Sequence, residues 1–409
     1  MGARVLRPCG VRAVQVPARS PTHPAVPERD RLVFPRARRD APVRTETREP
    51  VRTFFSEEHR LHFPQGELHG GELVTPFERP SRIEHVLRRL DERGFPAPQA
   101  PPACDLEPVR RVHDAGYLDF LASAWEEWKR EGFGGEVIAT GFPARRMPSV
   151  RPPRNIDGKV GYYALAAETA ITGGTWRAAL SSCASAQAAQ RHVAAALAEH
   201  GARGKAPSRQ GPTPVAFALC RPPGHHAAID MYGGYCFLNN AAVVAERFRG
   251  DGHERVAILD VDFHHGNGTQ DIFDARGDVL FASIHGHPED AYPYFSGYAE
   301  ERGSGEGEGA TVNFPLRPGT AYERWCEALN RALERVADFG ASALVVSLGV
   351  DAYHEDPISF FRLDSDDFTD CGRRIAGLAL PTVFVMEGGY AIEAVGINTV
   401  NVLEGFEGA

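Results

Sequence analysis

The second half of the chain alternates short runs of apolar, β-branched residues with longer stretches whose apolar positions recur at helical spacing. Runs at 215–219, 256–261, 279–283, 343–347 and 382–386 read as strands, and helical patterns fall between them at 239–248, 269–274, 321–339 and 366–378. The strand runs are apolar throughout rather than at every second residue, as expected of strands covered on both faces of a parallel sheet. The first half is more helical. Residues 81–94 set Ile83, Val86, Leu87 and Leu90 on one face, 105–129 turn Val112, Tyr117, Leu118, Phe120 and Leu121 inward, and 161–172 and 178–200 are Ala-rich. Residues 51–55 read as a first strand, and 56–77, 142–158 and 200–214 as loops. No repeat or linker divides residues 51–409, which are expected to form a single domain of the α/β class, a mainly parallel sheet in a three-layer α/β/α arrangement.

Residues 1–50 stand apart: rich in Arg and Pro, poor in acids, without sustained periodicity. A disordered tail is the favoured reading, with a cleaved organellar transit segment and an early start codon as the competing ones. Composition narrows the rest. The formal charge of -9 gives no drive toward nucleic acid or anionic membrane and favours, weakly, a cationic ligand. No apolar run approaches the roughly 18 residues that span a bilayer. The seven cysteines are dispersed, with no C-x-x-C pair, which fits a reducing, cytoplasmic setting rather than a disulfide framework.

In a parallel sheet of this kind the chemistry sits beyond the carboxyl ends of the strands. The runs at 215, 256, 343 and 382 end in CRPPGHHA (220–227), DVDFHHGNG (260–268), LGVD (348–351) and EGGY (387–390). Asp260, Asp262 and His264 alternate, so an extended backbone projects them to one side. Asp351 supplies a third ligand, and two carboxylates with one imidazole leave an open position, the pattern of a catalytic metal site. His225 and His226 sit in a loop stiffened by two prolines, suited to a general base. Gly233-Gly234-Tyr235 allows backbone to approach a ligand and Tyr235 to line a pocket. Tyr390 follows a diglycine and can reach over the site. His285 and His287 read as loop histidines near the mouth. Metal-assisted amide hydrolysis, with a histidine moving the proton and a phenol meeting the oxyanion, is the chemistry this set supports.

Together with GGYCFLNN, SLGVDAYHEDPISF and MEGGY, these motifs resemble the zinc-dependent histone deacetylase superfamily, in its class II-like branch, and most nearly its bacterial acetylpolyamine-hydrolysing members. Residues 66–73, His113–Tyr117 and Gly161–Tyr163 are similar to that branch as well. The resemblance implies an arginase–deacetylase fold with a central eight-stranded sheet, and Asp262, His264 and Asp351 as ligands of one Zn2+ per subunit. It implies His226 as general base and acid, His225 as its electrostatic partner, and Tyr390 as the carbonyl-polarising phenol. Asp260 falls where the first histidine is oriented. Asn267 falls where other members place an aspartate against the second, which leaves His226 less basic. Asp260, Asp262, His264, Ser283 and Ile284 match a structural K+ site. Tyr235, Tyr292 and Gly234 match the walls of a substrate tunnel, and Glu67, Glu168 and Asp157 fall at acidic positions able to attract a distal ammonium. The implied substrate is a small cationic acetylated amine such as acetylputrescine, acetylcadaverine or acetylspermidine, the implied assembly a homodimer, and the competing activity a protein lysine deacetylase.

Overall fold

The structure is a computed structural model describing residues 50–147, 150–202 and 213–409, with side chains at 200–202 excepted; nearly all of the expected tail and most of the loop expected at 200–214 lie outside the described residues. The described residues form one compact unit. Its frame, among the described residues, is a parallel sheet of seven strands where eight were implied: β1 (Arg52–Phe54), β4 (Val215–Ala218), β5 (Val256–Asp260), β6 (Val279–Gly286), β7 (Thr311–Leu316), β8 (Ala343–Leu348) and β9 (Thr382–Met386). The order across the sheet is β1-β4-β9-β8-β5-β6-β7. Every residue of β5, β6, β8 and β9 is buried, the physical counterpart of their uninterrupted apolar runs. The remaining strands, β2 (Glu67–His69) and β3 (Glu72–Val74), make a separate antiparallel hairpin inside the stretch expected as a loop.

Among the described residues ten α-helices pack around the frame: α1 (Ser81–Glu92), α2 (Leu106–Val112), α3 (Ala115–Arg130), α4 (Ile156–Tyr163), α5 (Thr175–Ala202), α6 (Asn240–Gly250), α7 (Asn267–Phe273), α8 (Tyr322–Phe339), α9 (Ser365–Ala376) and α10 (Ile392–Glu407). Their ends follow local chemistry. Asp114, Asn155 and Asn239 accept backbone N–H groups at the starts of α3, α4 and α6, and α8 stops at Gly340, whose φ of 72° few residues other than glycine adopt cheaply. The helix expected over 161–172 is a correction: α4 ends at Tyr163, and residues 164–172 form a loop whose Glu168 and Thr169 turn toward the site. Residues 105–129 hold two helices, separated at His113, whose ring bonds Ala228 O and Asn239 N and so braces the loop after β4. No helix among the described residues is long and apolar enough to cross a membrane.

Candidate active site

Because β4, β9, β8 and β5 are adjacent and parallel, their carboxyl ends open on one edge of the sheet and bring together residues far apart in sequence. Asp262, His264 and Asp351 are buried, and one ligand atom of each lies within 4.8 Å of the others. His264 Nδ1 is 2.9 Å from Asp351 Oδ2 and 3.3 Å from Asp262 Oδ1. The carboxylates are held from behind: Gly388 N donates to Asp262 Oδ2 at 2.8 Å and Phe263 N to Asp351 Oδ1 at 2.7 Å. Burial and the neighbouring Asp262 push the Asp351 carboxyl up to about 7. Burial works against charge on the His264 ring, but its bonds to Asp262 and Asp351 raise it to about 9. Two desolvated carboxylates converge on one imidazole, with no Lys or Arg salt-bridged to either among the described residues, so a divalent cation can take the place of the proton that His264 otherwise holds between them. The donor set of one nitrogen and carboxylate oxygens fits zinc, and also other borderline-to-hard divalent ions.

The paired histidines lie beside this cluster, their ring centroids 4.1 Å apart. His225 Nδ1 is 3.0 Å from Asp260 Oδ2, and its Nε2 lies 3.8 Å from Asp262 Oδ1. Burial opposes a charge on His225, yet Asp262 and Asp260 prevail and raise it to about 10. His226 Nδ1 faces Asn267 Oδ1 at 2.6 Å. Burial, the charge on His225 and the nearby His264 hold His226 well below its ordinary value, so it is neutral. The environment thus divides the pair into one cation and one free base. Burial also raises the Tyr390 phenol well above its usual range, which keeps it a proton donor.

Tyr235 and Tyr292 flank the site. The Tyr235 ring stands 5.6 Å from that of Tyr390, and the Tyr292 ring 5.1 Å from that of His226. Gly234, at φ 53°, lies so near His226 that a Cβ would fall 2.2 Å from its ring. Behind the tyrosines are two carboxylates. Tyr235 Oη donates to Glu67 Oε1 at 3.0 Å, and Tyr292 Oη to Glu168 Oε1 at 3.4 Å. Glu168 also accepts from Gly234 N at 2.8 Å, so it fixes the diglycine turn rather than standing on a helix surface. Burial pushes Glu67 up to about 7. Asp157 is placed differently, in the first turn of α4 and accepting from Thr140. Asp260 and Ser283 pair across β5 and β6, with Ile284 next in the strand. His285 is a buried residue of β6 bonded to Ser283 and Gly297 rather than a loop residue, and His265 bonds Gln270.

Three participants escaped the sequence reading. Arg82, fully buried at the start of α1, donates to Glu387 O and Gly389 O at 2.6 Å each, and its guanidinium lies 4.8 Å from the Tyr390 ring. Glu78 bonds both Arg82 and Arg221, tying the entry of α1 to the loop that carries the histidines. Asp356 accepts from Tyr390 N at 2.6 Å. Signals were available for two of them: Asp356 lies inside the motif SLGVDAYHEDPISF, and Arg82 is a charged residue beside Ile83 on a helix of otherwise apolar inner face.

A parallel sheet whose carboxyl edge gathers this cluster, a histidine pair and a phenol defines an arginase–deacetylase fold with an amide-cleaving site. The chain belongs to the histone deacetylase family: the model of the histone deacetylase domain matches residues 76–406. The chain is 55% identical over 358 residues to an acetylpolyamine amidohydrolase of Mycoplana ramosa, covering 88% of this chain and all of that one. It is 54% identical over 356 residues to acetylpolyamine amidohydrolase 1 of Pseudomonas aeruginosa, covering 87% and 98%. Among solved structures, an acetylpolyamine aminohydrolase from Burkholderia pseudomallei superposes with a TM-score of 0.78 at 38% identity, over 87% of this chain and 98% of that one.

Proposed function

We propose that residues 51–409 are a single catalytic domain, a zinc-dependent amidohydrolase that removes the acetyl group from small acetylated polyamines. The observation that carries the substrate reading is the pairing of Tyr235 with Glu67 and of Tyr292 with Glu168. Two aromatic walls admit a slender acetylamino chain, and a carboxylate behind each wall favours an ammonium at its far end. The names of the relatives point the same way.

Asp262, His264 and Asp351 would hold the zinc, which when bound supplies Lewis acidity to the acetyl carbonyl and to the attacking water. Asn267 Oδ1 is only an acceptor, so it fixes the His226 proton on Nδ1 and leaves Nε2 free to take the proton of the water. The same nitrogen then returns that proton to the departing amine. His225 stays cationic against Asp260 and stabilises negative charge gathering nearby. The Tyr390 hydroxyl donates to the carbonyl oxygen as it becomes an oxyanion, while the slot between the tyrosines excludes bulk water. A K+ ion beside Asp260 and Ser283, a homodimer and a cytoplasmic setting belong to the same reading.

The test compares kcat/KM on N-acetylputrescine with that on an acetyl-lysine peptide. The proposal expects the diamine to be preferred by at least about tenfold, roughly 1.4 kcal/mol in transition-state binding. Preference for the peptide would instead make the chain a protein lysine deacetylase.

A further inference from the structure

The turn Glu387-Gly388-Gly389-Tyr390 beyond β9 is the point where the parts of the site are joined. Glu387 accepts from Gly224 N and His225 N, at 2.6 and 3.1 Å. Gly388 holds Asp262 through its N–H, and its carbonyl accepts from Val350 N at 3.0 Å. Arg82 binds the carbonyls of Glu387 and Gly389. These contacts fix the turn up to Gly389, whose φ of 130° is open to glycine and to few other residues. On the far side of that glycine a single side chain takes over. Asp356, with 6% of its surface exposed, accepts from Tyr390 N at 2.6 Å and Ala391 N at 3.2 Å through Oδ2, and from Ile358 N at 3.2 Å through its other oxygen.

A buried carboxylate whose hydrogen bonds run to three backbone amides is an expensive way to shape a loop, since burying the charge costs more than burying a neutral acceptor would. What distinguishes this position is that two of the three amides belong to Tyr390 and the residue after it. The phenolic oxygen sits at the end of the longest lever in the site, so a small rotation of the Tyr390 backbone becomes a large displacement of its hydroxyl. We infer that Asp356 is a positioning residue for the reaction: by fixing the Tyr390 and Ala391 amides it aims the Tyr390 hydroxyl at the oxyanion. It touches no substrate and acts only through Tyr390, and the inference rests on the reading of Tyr390 as the oxyanion donor.

A double-mutant cycle on the zinc-loaded enzyme, with N-acetylputrescine, tests it. Asp356→Asn keeps the shape and one acceptor and is expected to lower kcat about tenfold, and Asp356→Ser about a hundredfold, with KM within about twofold of the parent. Zinc content and the far-ultraviolet spectrum are expected to match the parent, which identifies a folded variant; Asp356→Ser supplies the test if Asp356→Asn does not fold. In a Tyr390→Phe background the same substitutions are expected to cost nothing further. Losses that multiply across the two sites, or a KM that rises with kcat unchanged, would overturn the positioning role. If Tyr390→Phe alone leaves kcat intact, the phenol reading itself fails, a result distinct from multiplicative losses.

Discussion

His226 Nδ1 rests 2.6 Å from Oδ1 of Asn267, a neutral amide where a carboxylate would stand in a charge-assisted pair. The contact fixes the tautomer and raises the ring only a little, and burial, the charge on His225 and the nearby His264 outweigh it. The sign follows directly. A base must be deprotonated to work, so lowering its pKa moves the acid limb of the rate profile downward. Asn267→Asp restores the negative partner, raises His226 and is expected to shift the acid limb of kcat/KM upward by roughly one to two pH units. A pH–rate profile of the variant checks this, and an unmoved limb would mean that His226 is not the titrating base.

Glu67 gives a second pH dependence with a different origin. Burial raises its carboxyl from 4.5 to about 7, so it is neutral below that value and an anion above it. If it meets the substrate's ammonium, kcat/KM for N-acetylputrescine should climb as pH rises through 7, and Glu67→Gln should remove that climb. The uncharged N-acetylbutylamine should show no such limb in either protein. Stability runs the other way: a raised carboxyl binds its proton more tightly folded than unfolded, so the native state loses stability between 4.5 and about 7 as pH rises. Denaturant titrations should show Glu67→Gln gaining on the parent across that window.

The metal cluster can be tested without removing a ligand. A Cβ on Gly388 would lie 2.6 Å from both Asp262 Oδ2 and Asp351 Oδ2. Gly388→Ala should therefore displace the two carboxylates and weaken zinc retention on dialysis against a chelator, as Asp262→Asn does by deleting a charge. Zinc content measured by atomic absorption decides it; full occupancy in both variants would remove these residues from the ligand set.

Glu78 is buried between Arg82 and Arg221, accepting from them at 3.1 and 2.8 Å. Its replacement by alanine leaves two desolvated guanidinium groups without their shared anion. Glu78→Ala is expected to cost about 3–5 kcal/mol of folding stability. Chemical denaturation of the parent and variant measures it, and a loss below about 1 kcal/mol would show that water reaches the cluster.

How much of this was legible beforehand depended on how local the signal was. Strands β4, β5, β6, β8 and β9 were visible because a strand buried on both faces leaves a continuous apolar run. β7 was missed because TVNFPL carries Asn and Pro, tolerated where a strand has a neighbour on one side only. α10 was missed because its face toward the body is nearly all-round and rich in β-branched residues, without the sharp stripe of α8. At the site, motifs that end strands stood out, since ligand chemistry is crowded into a few residues. Arg82 and Asp356 did not: Arg82 meets Gly389 across 307 positions, Asp356 meets Tyr390 across 34, and only folding makes them neighbours.

The hairpin of β2 and β3 carries Glu67 at its base and leaves Leu68 and Leu73 exposed. Its contact with Tyr235 spans 168 positions, so one wall of the slot is steadied by a segment outside the central sheet. Residues 68–74 are in that respect a detachable cassette. Swapping them for a shorter or longer turn, with Glu67 kept, alters the gauge of the opening while every group that performs the chemistry stays where the sheet has put it, which makes this stretch the place to engineer new acyl-amine selectivity.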